Sequence, residues 1–296
     1  MGKGIEELGN GNNAKIEKLR KLDDVVIFTT TLYKDDKQSP VRQELSLKFL
    51  ANASALGVRV VVVDGGSNEG FLEKARQFKG ITLVPETPGA TMGAGRRQAL
   101  DEAMKLQNAS VFFWTEPEKN TLINKTSLGD MVQKIKAGEA DIVVPRRSQK
   151  CMDSLPKFQR WEEERANKKM VSLLEKKDEK EAPDKIDFWF GPKMFSRDMA
   201  RYFSEYKGKV DKWDAVLRPV IDAVRDGKKL ASVDVDYIYD PSQVRAEKGD
   251  KAMNLKRAEQ YLQILAAIGD PWASQEGKGL EGGKPRSLKL KKSRGL

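Results

Sequence analysis

Short apolar runs rich in β-branched and aromatic residues recur at 25–31, 58–63, 81–84, 111–114 and 140–145. Their spacing is the strongest constraint on the fold. Too much chain separates them for tight hairpins, and the intervening segments carry helical patterns. Leu45, Leu47, Leu50 and Leu56 lead to Gly57. A second helix is expected to run to about Phe78, a glycine-rich turn at 88–97 continues as a helix through Leu106, and a fourth covers 128–135. Strand–helix–strand units with short connections build a parallel sheet. Val111-Phe112-Phe113-Trp114 has no polar residue on either face, as expected of a strand covered on both sides. The expected fold class is α/β, a doubly wound, mostly parallel sheet with helices on both faces. Right-handed crossovers bring the carboxyl ends of these strands to one rim.

The fourth run stops at Thr115-Glu116-Pro117-Glu118-Lys119. Pro117 cannot donate to a strand ladder, so the strand ends at or before it. Two carboxylates therefore stand at the carboxyl end of a central strand, where ligands bind in open α/β sheets. Their spacing suits two oxygen ligands on one hard cation, and equally a charged turn facing water. The same rim collects Thr30-Thr31-Leu32-Tyr33, Asp64-Gly65-Gly66-Ser67 and Gly93-Ala94-Gly95-Arg96-Arg97. For a nucleoside diphosphate, Asp64 would accept hydrogen bonds from ribose or base, and Gly65 and Gly66 would let backbone approach closely. Arg96 and Arg97 would pair with phosphate or reach a base carbonyl. Each motif alone is equally a plain turn. The glycines follow the third run with no Lys-Ser or Lys-Thr after them, which fits neither a dinucleotide fingerprint nor a P-loop.

The 296 residues include no histidine and one cysteine, Cys151. That removes Ser-His and Cys-His nucleophile pairs and any internal disulfide. The chemistry is left to carboxylates, Lys, Arg, Tyr, hydroxyls or a cation. The amino terminus is polar and charged, no run is long enough for a membrane span, and a cytoplasmic location is expected. The formal net charge of +10 suits an anionic partner, and much of it sits in the last stretch.

After Arg147 the alternation changes. Residues 161–181 are charged and helical, with 176–181 read as a solvated linker or lid; 186–192 is an aromatic segment ending in a turn. Helices are expected at 199–206, from Trp213-Asp214, and at 255–268, with a strand over 230–239. Residues 1–23 read as a polar extension leading into a short surface helix, and 273–296 as a disordered basic tail. The tail is a solubilising end or a nuclear or RNA contact.

In order, Thr29–Tyr33, Asp64–Ser67, Gly93–Arg97 and Glu116–Glu118 resemble the strand ends of the nucleotide-sugar-binding half of GT-A glycosyltransferases, notably the family-2-like enzymes. Residues 140–147, 188–195 and Trp213-Asp214 are similar to that family's later strand, acceptor-side segment and acidic helix start. The resemblance covers about residues 25–240. It implies a GT-A-like sheet, with 24–150 as the nucleotide-sugar-binding half and 151–272 as an acceptor-side α+β half of the same domain. It implies transfer of a sugar from a nucleotide diphosphate sugar to an acceptor hydroxyl. Thr30, Thr31, Tyr33, Asp64, Gly65, Gly93, Arg96 and Arg97 would bind nucleotide; Trp189, Gly191 and Trp213 would meet the acceptor. Trp161, Trp189 and Trp213 suit sugar stacking or core packing. Asp214, then Asp187, is the candidate base, with Asp214 equally a residue favouring the dipole of its helix. Glu116 and Glu118, with Asp240 in place of the family's late histidine, would hold Mn²⁺ or Mg²⁺; no organic cofactor is implied. This sequence has Glu-Pro-Glu where the family has Asp-x-Asp, so Lys119 or an arginine is an alternative counter-charge. The other readings are a nucleotidyltransferase and a non-catalytic GT-A-like basic binding protein.

Overall fold

The computed structural model describes residues 17, 20–34, 39–174, 186–208, 210–247, 255, 257–262 and 265. Most of the 1–23 extension, the 176–181 segment, much of the 255–268 helix and the 273–296 tail lie outside the described residues.

The chain runs β1 (Val25–Thr31), α1 (Ser39–Ala55), β2 (Arg59–Asp64), α2 (Glu69–Arg76), β3 (Ile81–Pro85), α3 (Met92–Met104), β4 (Val111–Trp114), α4 (Lys125–Lys136) and β5 (Ile142–Arg147). It continues through α5 (Gln149–Ser154), α6 (Lys157–Leu174), β6 (Lys193–Ser196), α7 (Ala200–Ser204), α8 (Asp214–Arg225), β7 (Leu230–Val235) and α9 (Pro241–Glu247). The seven strands form one sheet in the order β3-β2-β1-β4-β6-β5-β7. Neighbours are parallel except β6, which runs antiparallel to both β4 and β5. The expected mostly parallel α/β sheet is what forms, with the carboxyl ends of the six parallel strands on one rim.

Alternation along the strands explains the two-sided cover. Val25, Ile27, Val60, Val62, Val111 and Phe113 pack into one core layer with α1, α2 and α4. Val26, Phe28, Val61, Val63, Phe112 and Trp114 pack into the other with α3 and α8. Burying each of these large side chains contributes about 1.5–3 kcal/mol. The helix starts are set locally: Asn68, Thr91, Asn124 and Ser148 each accept a hydrogen bond from a backbone N–H three residues on. Gly57 ends α1 with φ +69°, a left-handed position that glycine adopts without strain.

The strand expected over 230–239 stops at Val235. The sequence reading also passes over β6, because Lys-Met-Phe-Ser is short and opens with a charge. No helix among the described residues is long and apolar enough to cross a membrane.

Candidate active site

The strand order reverses at β1. β2 lies on one side of it and β4 on the other, so their carboxyl ends flank a topological switch point, where open α/β sheets form a ligand crevice. On the β2 side, Asp64 is buried and fully engaged by its own turn. Oδ1 accepts from the Thr31 hydroxyl at 2.7 Å and from Ser67 Oγ; Oδ2 accepts from the backbone N–H groups of Gly66 at 2.9 Å and Ser67 at 2.8 Å. Asp64 therefore shapes the turn rather than offering an open carboxylate to ribose or base, and Thr31 is its partner. Tyr33 is fully buried, stacks edge-on against Phe71, and reaches Glu118 with its hydroxyl at 3.2 Å. It ties the β1 loop to the Glu-Pro-Glu turn.

Glu86, just after β3, occupies the notch between Gly65 and Gly95. A Cβ at Gly65 would lie 3.0 Å from Glu86 Oε2, and one at Gly95 would overlap Glu86 Oε1 beside Thr30. Partial burial and the nearby Asp64 charge raise the Glu86 pKa. The sequence reading missed it; its position one residue beyond a parallel strand was the available signal.

The start of α3 is bound to the 206–214 loop. The Gly93 N–H donates to the Asp211 carbonyl at 2.8 Å, and a Cβ there would overlap the Asp211 carboxylate. Arg97 forks onto Asp211 at 2.5 and 2.8 Å, which holds the Asp211 carboxyl below its usual range. Arg96 lies buried between the Trp114 and Trp213 rings, 4.9 and 5.2 Å from their centroids, and donates to the Lys212 carbonyl at 2.6 Å. Burial pushes its pKa down to about 10. Gly93, Arg96 and Arg97 thus hold the neighbouring loop.

Asp214 opens α8 but is closed off, with 1% of its surface exposed. Its carboxylate accepts from Tyr206 at 2.8 Å and from the Lys212 and Asp211 N–H groups at 2.7 and 3.3 Å. That is a loop and helix-start role, not a base facing an acceptor. Asp240 accepts from the Ser242 N–H at 2.8 Å and from its hydroxyl, capping α9.

A cavity of about 200 Å³ opens at the ends of β4, β5 and β7. Trp189, Gly191 and Trp213, the expected acceptor residues, all line it, as do Glu116, Glu118 and Lys119. Glu116 lies 3.0 Å from Lys119 Nζ and is packed flush against Gly191. Burial pushes the Glu116 carboxyl up, but Lys119 and Arg96 outweigh it and leave the value below the usual range. Glu118 takes the Arg42 guanidinium on one oxygen, Nε at 2.7 Å and Nη2 at 2.6 Å. The two carboxylates are brought to one wall, yet each has its own cation. Among the described residues no three His, Cys, Asp or Glu side chains form a metal-binding group. Glu116, Glu118 and Asp240 therefore do not converge as the expected ligand set.

Behind the cavity Arg147 joins β5 to α6 and to the 187–190 loop. It donates to Asp187 at 2.6 and 2.9 Å and to Glu163, under the Phe190 ring. Asn167 adds a bond to Asp187 at 2.7 Å. Burial alone would raise the Asp187 carboxyl; Arg147 overrides it and holds the value low, which makes Asp187 a poor base. Glu162, on α6 and lining the cavity, is instead raised by burial. Lys193 is fully buried, with Nζ donating to the carbonyls of Phe188, Phe190, Gly191 and Pro192, and burial lowers its pKa to about 7. It organises the turn that carries Gly191. The sequence places Arg147 and Lys193 in segments similar to the family's later strand and acceptor-side segment and gives neither a role of its own.

No family model matches this chain, and no curated protein matches its sequence. Solved structures match by fold. Mannosyl-3-phosphoglycerate synthase from Rubrobacter xylanophilus aligns with TM-score 0.59 at 13% identity, over 93% of this chain and 81% of that one. Glucosyl-3-phosphoglycerate synthase from Mycobacterium tuberculosis, in complex with Mn²⁺, UDP and phosphoglyceric acid, aligns with TM-score 0.53 at 13% identity, over 87% and 83%. The chain has the GT-A-like α/β fold of these structures.

Proposed function

We propose that this chain is a glycosyltransferase, moving a sugar from a nucleoside diphosphate sugar to an acceptor hydroxyl. The observation that carries the reading is the position of the cavity. It adjoins the switch point of a GT-A-like sheet, walled by the Glu116–Lys119 turn and by the Trp189–Gly191 turn. UDP and phosphoglyceric acid are bound by a fold relative at 13% identity, which supports the same broad chemistry here and leaves donor base and acceptor open.

In this reading the nucleoside lies over the Gly65–Glu86–Gly95 notch, where backbone and one carboxylate meet it. The diphosphate reaches the Glu116–Lys119 turn. The sugar and acceptor occupy the cavity against Trp189 and Trp213, whose faces suit a sugar ring. An inverting reaction would place the acceptor proton on Glu162, whose raised pKa suits that role better than Asp187 or Asp214.

Thermal shift of the full chain against UDP, GDP, ADP and their sugars tests the proposal, because a ligand that binds only the folded state raises the midpoint. Stabilisation by at least one nucleoside diphosphate is expected. No shift with any of them, alongside tight RNA binding, would overturn it in favour of a basic binding protein.

A further inference from the structure

The fold relative from Mycobacterium tuberculosis is described in complex with Mn²⁺ and UDP, and the Glu-Pro-Glu side chains here do not fit such an ion. Mg²⁺ and Mn²⁺ nucleotide sites take one or two protein carboxylates, the substrate phosphates and waters in near-octahedral geometry, so the carboxylates must be available to the ion. The Glu-Pro-Glu turn offers two carboxylates, each already ion-paired: Glu116 with Lys119 at 3.0 Å, Glu118 with Arg42 at 2.6 Å. Glu116 lies close against Gly191, in space that a Cβ there would fill. The sequence has no histidine to complete a ligand set, and Asp240 is bound into its own cap.

We propose that Lys119 and Arg42, each positioned by one carboxylate of Glu-Pro-Glu, are the chain's own counter-charges for the donor diphosphate, and that transfer proceeds without a divalent cation. This rests on the glycosyltransferase reading above. Lys119 Nζ, with three N–H donors, lies 3.0 Å from Glu116 Oε2 and lines the cavity 5.5 Å from the Phe190 ring centroid. Arg42 lines the same cavity with about a third of its side chain exposed (36%). The reaction breaks the bond between the sugar C1 and the β-phosphate oxygen, and the electron pair goes to that oxygen. The acceptor oxygen forms the new bond to C1 and gives up its proton. Negative charge therefore grows on the diphosphate, where a fixed ammonium and guanidinium stabilise it as a metal ion would. Glu116 and Glu118 act as positioning residues that keep two long cationic side chains in place.

Calorimetric titration of the full chain with UDP and with GDP, in excess EDTA and again with Mn²⁺, tests this. Nucleotide affinity in EDTA is expected to equal that with Mn²⁺, and titrating Mn²⁺ into the protein alone should leave its free-ion EPR signal undiminished. Lys119→Met should weaken binding in EDTA about 10- to 100-fold, the loss of one charge-assisted hydrogen bond. Lys119→Arg should retain most of it. Because Lys119→Met removes the ion-pair partner of half-buried Glu116, the pair Glu116→Gln with Lys119→Met is measured too, and the same loss is expected. Nucleotide binding that appears only with Mn²⁺ would overturn this inference and leave the glycosyltransferase reading standing. No binding of either nucleotide under any condition would overturn both.

Discussion

Removing the Arg147 guanidinium would leave two carboxylates buried against each other behind the cavity. Arg147, Asp187 and Glu163 expose only 4%, 6% and 9% of their side chains, so water cannot take over the lost contacts. Asp187 would keep two neutral donors, Asn167 and the backbone N–H of residue 147 at 3.4 Å, and Glu163 would keep Gln159 at 2.7 Å. Breaking a buried pair by deleting one partner costs about 3–5 kcal/mol. Arg147→Met should therefore lower unfolding free energy by that amount at neutral pH, measured by urea denaturation followed by tryptophan fluorescence. Replacing all three charges (Arg147→Met, Asp187→Asn, Glu163→Gln) should restore most of the loss, since no unpaired charge remains. The pH dependence supplies an independent check. The folded Asp187 value lies below its unfolded value near 3.9. Its contribution is present above that unfolded value and is lost as pH falls through the folded one. The acid limb of wild-type stability should contain this component and the triple variant should lack it. A loss under about 1 kcal/mol for Arg147→Met would refute the network as a determinant of stability.

Gly191→Ala would set a Cβ 2.7 Å from Glu116 Oε2 and closer still to Oε1, so Glu116 must move; about 1–3 kcal/mol of stability should be lost and nucleoside diphosphate affinity should fall, and retention of both by calorimetry would contradict the packing argument. Lys193 has a folded value of about 7 against an ordinary 10.5, so the unfolded chain binds more protons between those values. Stability should rise with pH across that window at up to about 1.4 kcal/mol per pH unit, and Lys193→Met should flatten the slope in denaturation curves collected at successive pH values. Phe113→Ala, in the fully buried β4, should cost about 3–5 kcal/mol by the same denaturation assay.

The sheet was legible because its signal is local. β-branched runs of four to seven residues, separated by capped helices, leave one sensible architecture, and β1 to β5 fall where the apolar runs stand. β6 escaped because its strand conformation comes from tertiary context: Lys193 is buried only since four carbonyls of the preceding turn surround its ammonium. A lysine opening a four-residue segment carries no such information by itself.

The site was legible in position and not in pairing. Strand ends on one rim follow from crossover handedness, so Glu116 and Glu118 could be placed there before any contact was known, while Gly191 and Trp189 rested on the family resemblance. Whether an acid binds a ligand or a neighbour depends on residues far away in sequence. Asp64 is satisfied by Thr31, Arg97 by Asp211, Glu118 by Arg42 and Asp187 by Arg147. Whether two carboxylates share a divalent ion depends on the counter-charges they already have. For Glu116 that test involves Lys119, three residues on and readable in the sequence; for Glu118 it involves Arg42 on α1, which only the packing of α1 beside the β4 turn brings within reach. The same Glu-x-Glu spacing thus serves a metal site or a pair of anchored cations, and the deciding residue lies 76 positions away.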